Sequence, residues 1–387
     1  MSDSQILDVA VLGAGQSGLA VAAALGRAQL QAVVLERATV GATWRGHYDR
    51  LTLNTDRLLS GLPGQPLPRR FGRWVSRDDF VGYLEDYAAA LDVRTGVAAT
   101  RLDRHGELWT LHGTPFRARR VVVATGRNRL AFTPAWPGRF AGPLTHSAHY
   151  RNSAAYAGQV VLVVGAGNSG AEIAADLVAT GRSGAAHVLL AAKDVPGLLP
   201  RAIGPIPTQL VAFGLPAVPA PLADLATRIT LEVLRPRDRS RGLPAPRALV
   251  SQARLGVLPV LDNGLRAAVH AGRVTVVAAV SALDGTRVQL ADGTFVRPDA
   301  IITATGWRAG LDPLVGHLGV LGVRGLPLRH ADQAAAPGLH FVGFQAALTG
   351  DVHRAGHEAA QVAAAFTGAG RLRAVVNDVR RRLPLPA

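Results

Sequence analysis

Two stretches of the chain carry the same succession of apolar runs and glycine turns. Residues 6–12 (ILDVAVL) form a short, mostly apolar run that reads as a buried strand, and an alanine-rich stretch reaching about Leu30 reads as a helix. Between them lies Gly13-Ala14-Gly15-Gln16-Ser17-Gly18, and a second apolar run at 32–35 closes on Glu36. The order recurs in mid-chain, with a strand over 159–164, the turn Gly165-Ala166-Gly167-Asn168-Ser169-Gly170, a helix over 171–179 and a second strand in HVLLAAKD. Each unit continues through short alternating segments with turn signals, ELWTLHGTPFRARRVVVATG and TRVQLADGTFVRPDAIITATG. Both end on Ala-Thr-Gly, at Ala124-Thr125-Gly126 and Ala304-Thr305-Gly306. The pattern predicts an α/β fold from a duplicated domain, since solenoid repeats have much shorter periods.

A chain of 387 residues has room for two ordinary cores. The expected architecture is two dinucleotide-binding, Rossmann-like domains of the glutathione-reductase type, one inserted into the other: 1–152 and 307–387 form the first, 153–306 the second. The glycine spacing has a physical reading. One glycine makes the tight turn, one lets the backbone approach a pyrophosphate at the positive helix N-terminus, and one lets helix and strand pack closely. Glu36 lies where an acid hydrogen-bonds ribose hydroxyls, which suits FAD, with Arg37, Trp44 and Arg45 as further candidate contacts. In the second unit Lys193, with Asp194 beside it, stands near the matching strand end, and Arg201 follows. A cation there suits a ribose bearing a 2′-phosphate and points to NADPH. Two dinucleotides imply electron transfer between a nicotinamide and a flavin.

Composition removes other classes. There is no cysteine, so disulfides, thiolate metal sites and dithiol redox chemistry are excluded. The N-terminus lacks the pattern of a signal peptide, giving a cytoplasmic expectation, and prolines interrupt the apolar region 198–226, so no membrane span is expected. The formal charge of +15 comes almost wholly from scattered arginines, Lys193 being the sole lysine. No recognition module accompanies them, so nucleic acid is not an expected partner. The expected partners are a small-molecule substrate and O2, with a homodimer left open.

The segment FAGPLTHSAHY sets Phe140, Gly142, His146 and Tyr150 in the spacing F-x-G-x-x-x-H-x-x-x-Y/W, between the two glycine turns. It resembles the signature of the flavin-containing monooxygenases, and within that family the chain is most similar to the short members, including the plant auxin-forming enzymes. GATWRGHYDRLTLNT resembles their W-x-x-x-Y-D-R-L segment at Trp44, Tyr48, Asp49, Arg50 and Leu51. RWVSRDDFVGYLEDYA, LPVLDNG and ATGWRAGL resemble later segments, and GLHFVGF resembles the strand that closes the flavin site through Gly343 and Phe344. The family carries arginine where Lys193 stands, and the plant enzymes' substrate contacts do not map onto 198–246. The resemblance implies that NADPH reduces FAD and that oxygen adds at flavin C4a. The resulting hydroperoxide would oxygenate an amine, sulfide or carbonyl, or decarboxylate a 2-oxo acid.

Asn54 follows the family-like segment and is the candidate catalytic residue, an amide able to donate to a peroxide or to the nicotinamide carboxamide without titrating. His146 reads as a linker-ordering residue. His353 and His357 lack a nearby third ligand, so no metal is expected. The helix near Gly350 should point backbone donors at the flavin, and the proline-rich segment 195–247 reads as a long apolar loop over the substrate. Two other readings use the same motifs: a flavoprotein reductase passing electrons to a quinone or protein, and a non-catalytic FAD/NADP sensor.

Overall fold

The computed structural model describes residues 5–193, 198–214, 218–234, 238, 241–243, 248–254 and 257–368. The first unit is built on β1 (Gln5–Leu12), which runs into the helix α1 (Gln16–Arg27) and then β2 (Ala32–Glu36). β1 pairs in parallel with β2 on one side and with β3 (Phe116–Val123) on the other. Val9, Ala10 and Val11 are fully buried, as expected of a strand covered on both faces. Val93–Thr95 extends this seven-stranded sheet beyond β2. The antiparallel strands Leu108–His112 and Arg101–His105 extend it beyond β3, and Leu339–Phe341 returns to pair with β3.

The second unit repeats the device with β4 (Val160–Val164), α2 (Asn168–Ala179) and β5 (His187–Ala191). The segment 195–247, expected as an irregular loop, instead contains helices over Thr208–Gly214 and α3 (Ala220–Leu234). Its prolines explain the discrepancy. Pro219 and Pro221 fall at the start of α3, where a missing N–H costs nothing, so they begin the helix and do not break it. Residues 195–197, 215–217, 235–237, 239–240 and 244–247 of that segment lie outside the described residues, as does Asp194. β6 (Ala300–Thr303) completes the parallel centre of the second sheet, ordered Val274–Val277, β5, β4, β6, Leu144–His146. Among the described residues, no helix is long and apolar enough to cross a membrane.

Strand pairing assigns the connecting segments. Gly138–Phe140 and Leu144–His146 hydrogen-bond with strands of the second unit. The two crossings pair with each other as a short antiparallel ribbon, Leu130–Ala131 against Trp307–Arg308.

Each residue of the sequence signature has a packing reason. Phe140 is buried with Leu162, Val164 and Ile301, and a side chain at Gly142 would lie 2.7 Å from its ring and 2.9 Å from the Asp299 carbonyl. His146 Nδ1 accepts from the Ala148 N–H (3.0 Å), which leaves Nε2–H to donate to the Gly306 carbonyl (3.2 Å). Burial lowers its pKa, so the ring is a neutral link between the segment and the second Ala-Thr-Gly. Tyr150 is buried and donates to Asp176 Oδ2 at 2.6 Å. Tyr150→Phe should leave that carboxylate short of a donor and cost about 1–3 kcal/mol of stability, read by chemical denaturation.

Candidate active site

The two glycine turns form cradles whose geometry can be tested position by position. A Cβ built on Gly13 (φ +108°) would lie 2.8 Å from the Ala124 carbonyl, one on Gly18 would lie 1.8 Å from the Gly13 carbonyl, and one on Gly15 meets nothing within 4 Å. The second turn repeats this. A Cβ on Gly165 (φ +104°) comes 2.5 Å from Ala304 O, one on Gly170 1.8 Å from Gly165 O, and one on Gly167 meets open space. The outer glycines are therefore required by packing, while the middle one faces out, as a backbone that must meet a pyrophosphate does. The same contacts explain the repeated Ala-Thr-Gly, which is the backbone against which the first glycine of each turn packs.

The first turn opens a groove lined by Gly13, Gly15, Gln16, Ser17, Glu36, Arg37, Trp44, Ala124, Thr125, Gly126 and Gly343. Glu36 ends β2 with its carboxylate accepting from the N–H groups of Ala14 (2.8 Å) and Ala38 (2.9 Å), which fixes it at the groove edge. Trp44 Nε1–H donates to Gln16 Oε1 at 2.9 Å. Thr125 Oγ1 is buried with no hydrogen-bond partner, a hydroxyl suited to a bound group. A Cβ on Gly343 would lie 2.3 Å from Ser17 Oγ, so glycine lets this strand close on the start of α1. Phe344 is buried behind the groove and packs on Phe341. Arg45 departs from expectation: its guanidinium pairs with Glu85 at the surface, away from the groove. The residues present fit a flavin dinucleotide.

The groove meets a second cavity of about 600 Å³ between the units. Trp44, His47, Arg127, Asn128 and Asp351 line both. Asp351 starts α4 (Asp351–Thr367), the last helix among the described residues, which therefore points its N-terminus at the junction. Arg127 pairs with Asp351 at 2.8 Å, and its Nη1 is buried without a hydrogen-bond partner. Burial raises the pKa of Asp351, and Arg127 opposes that shift. Burial and then Arg151 lower the pKa of His47, keeping it neutral. The outer wall is apolar, with Leu199, Ile203, Leu222, Leu231 and Val250 among its residues.

The inner wall holds Asn54, Asn168, Ser169, Tyr48 and Glu172. Tyr48 OH and Asn54 Nδ2 donate to the two oxygens of Glu172, the latter at 2.6 Å. Burial raises the pKa of Glu172, with Tyr48, Asn54 and the charge of Arg201 opposing the shift. Asn168 Oδ1 accepts from the Leu261 N–H at 3.0 Å, tying the second turn to the wall of the cavity. Thr305 Oγ1 donates to the Phe132 carbonyl at 2.5 Å.

Two expectations for the second nucleotide are corrected. Gly13 N–H bonds to Leu35 O and Gly165 N–H to Ala191 O, so Glu36 corresponds to Ala192, and exposed Lys193 corresponds to Arg37. The acid position thus holds a methyl group, with the lysine one residue further on. Arg201 is not free for a phosphate. It donates to Thr52 Oγ1 (3.1 Å), Asn263 Oδ1 (3.1 Å) and the Leu53 carbonyl, and stacks 4.0 Å over the Trp74 ring. Desolvation lowers its pKa to about 10. Sequence reasoning missed Glu172 and the Arg127–Asp351 pair. Glu172 carried a signal, a carboxylate inside the apolar run AEIAADLV of a buried helix, where an acid needs a partner.

The cradle geometry separates fold from binding. Gly15→Ala should leave the thermal unfolding of the FAD-free protein unchanged and weaken FAD retention at least tenfold, read by fluorescence titration. Gly18→Ala, whose methyl meets backbone, should lower the unfolding temperature of the FAD-free protein itself.

Comparison with known proteins agrees with this geometry. A pyridine nucleotide-disulphide oxidoreductase family model matches residues 10–192, and a flavin-binding monooxygenase-like model matches residues 116–314. Indole-3-pyruvate monooxygenase YUCCA1 of Oryza sativa subsp. japonica is 33% identical over 352 residues, covering 86% of each chain. The probable indole-3-pyruvate monooxygenase YUCCA7 of Arabidopsis thaliana is 30% identical, covering 86% of this chain and 82% of the relative. Among solved structures, a flavin-containing monooxygenase from Stenotrophomonas maltophilia superposes with a TM-score of 0.70 at 26% identity, covering 93% of this chain and 99% of that one. A bacillithiol disulfide reductase from Bacillus cereus shares the fold, with a TM-score of 0.65 at 17% identity, 95% of this chain and 100% of that one being covered. The monooxygenase match extends over more than half of the sequence, and with relatives a third identical along most of its length the chain belongs to the flavin-binding monooxygenase-like family.

Proposed function

We propose that the chain holds FAD in the groove of the first unit and NADPH on the second, and oxygenates a small, largely apolar substrate in the cavity between them. The observation that carries this reading is the meeting of groove and cavity at Trp44, His47, Arg127, Asn128 and Asp351, which sets one ligand's end against the other's wall. FAD, once reduced by NADPH, supplies the oxygen chemistry. The protein's part is to orient both nucleotides and keep water out. Gly15 and Gly167 admit the pyrophosphates, Glu36 takes the first ribose, and Lys193 beside Ala192 leaves the second ribose free of a repelling carboxylate. The helices over 208–234 cover the cavity with carbon, which favours transfer of oxygen over loss to peroxide. We divide the chain at the ribbon, giving 5–131 with 307–368 to FAD and 132–306 to NADPH.

An aromatic 2-oxo acid, the substrate type in the names of the plant relatives, would set its carboxylate against Arg127, the single cationic side chain among the described residues lining the cavity. Neutral amines and sulfides need no such contact. In this reading the enzyme works in the cytoplasm. One chain supplies the described walls of groove and cavity, so pairing into a homodimer adds nothing the chemistry requires.

Anaerobic NADPH should bleach the flavin of the purified holoenzyme. Stopped-flow mixing with oxygen should then give an absorbance distinct from oxidised and reduced flavin, whereas direct return to oxidised flavin with stoichiometric hydrogen peroxide favours the reductase reading. Ala192→Glu should raise KM for NADPH by at least about tenfold with little change for NADH, because a carboxylate repels the 2′-phosphate and accepts from the ribose hydroxyls. Steady-state kinetics with both nucleotides check this.

A further inference from the structure

The helix that opens the second unit reaches into the first. Glu172, in the opening turns of α2, is buried, and both of its oxygens are taken by side chains from outside the second unit, Tyr48 OH on Oε2 and Asn54 Nδ2 on Oε1. Asn54 lines the cavity, and its Oδ1 is buried with no hydrogen-bond partner. Turning the amide over would press its carbonyl against a carboxylate, two acceptors in a buried contact, so the orientation has one stable choice. The nitrogen is spent on Glu172, and the carbonyl is what Asn54 has left to offer.

We propose that Glu172 is a positioning residue that turns Asn54 into a hydrogen-bond acceptor for the carboxamide N–H of the bound nicotinamide. This reverses the donor role expected from the sequence. It rests on the two-nucleotide reading above and adds to it a contact carried across the two units. The acid is placed on the NADPH-binding helix and the amide on the segment after Trp44, so the acceptor is set only when the two units are docked. Tyr48 occupies the other carboxylate oxygen and keeps it from competing for the amide.

The test is a double-mutant cycle on the FAD-loaded, oxidised enzyme, with the Kd for NADP+ read from the perturbation of flavin absorbance under nitrogen. Glu172→Met removes the clamp and should weaken NADP+ about tenfold, the worth of one buried hydrogen bond. Asn54→Ala should do the same, and the double variant should be no weaker than Asn54→Ala alone. Glu172→Gln keeps an acceptor for Asn54 and turns its own N–H to the Tyr48 oxygen, and should stay within about twofold of the parent. If Glu172→Met does not retain FAD, Glu172→Asp serves, since the shorter side chain withdraws the acceptor while keeping the charge. It too should weaken NADP+, and only when Asn54 is present. Additive effects, or parent-like binding by both the Met and Asp variants, would overturn the clamp. A parent whose flavin responds to neither NADP+ nor NADPH would instead overturn the two-nucleotide reading itself.

Discussion

Two buried carboxylates on one face of α2 gather the segments that pack on it, and Glu172 ties the molecule's halves together through Tyr48 and Asn54. Glu172 and Asp176 are four residues apart, so they point the same way from the helix, and each receives a tyrosine hydroxyl from outside it, Tyr48 and Tyr150. Taking two acids out of water is unfavourable unless their oxygens are occupied, so the helix is stable here only when both tyrosines arrive. Burial pushes the pKa of both hydroxyls up, which keeps them as donors throughout the physiological range. Tyr150 is the last residue of the sequence signature, and Tyr48 belongs to the segment that leads to Asn54. The same helix begins at the second glycine turn, so the contacts that dock the units also seat that turn.

The residues of the signature have packing roles of the same kind. His146 is neutral, occupied at both nitrogens, and attached to the carbonyl of Gly306, whose neighbours pack under the second glycine turn. Phe140, Gly142 and Tyr150 fix the same segment through bulk, close approach and a hydrogen bond. The signature is therefore a record of packing between the segment and the second sheet, and its presence beside two glycine turns reports geometry before it reports catalysis.

What could be read from the sequence was what local backbone constraint dictates. The six glycines occupy positions where a Cβ would collide with backbone or stand in open space at the turn, and Gly126 and Gly306 adopt a positive φ, so their spacing carries the architecture directly. Registers and long-range partners were harder. Lys193 was placed opposite Glu36, but the strand pairing sets Ala192 there, a shift of one residue that no local pattern encodes. Arg201 lay at a plausible distance along the chain from the second turn, yet its guanidinium is bound to Thr52, Leu53 and Asn263. Proline content misled over 195–247, because its position at the start of α3 and not its abundance decides whether a helix forms.

The ribbon between Leu130–Ala131 and Trp307–Arg308 has a mechanical meaning. The chain passes between the two units twice, and both passages lie side by side and are hydrogen-bonded to one another. Gly126 and Gly306 flank them at φ +77° and +97°, and the Trp307 ring lies 5.1 Å from that of His146. Two tethers joined at one place act as a single axle. Rotation of one unit against the other leaves spacing near the axle fixed and changes it most at the far rim, so the bonds from Tyr48 and Asn54 to Glu172, which cross between the units, oppose that swing.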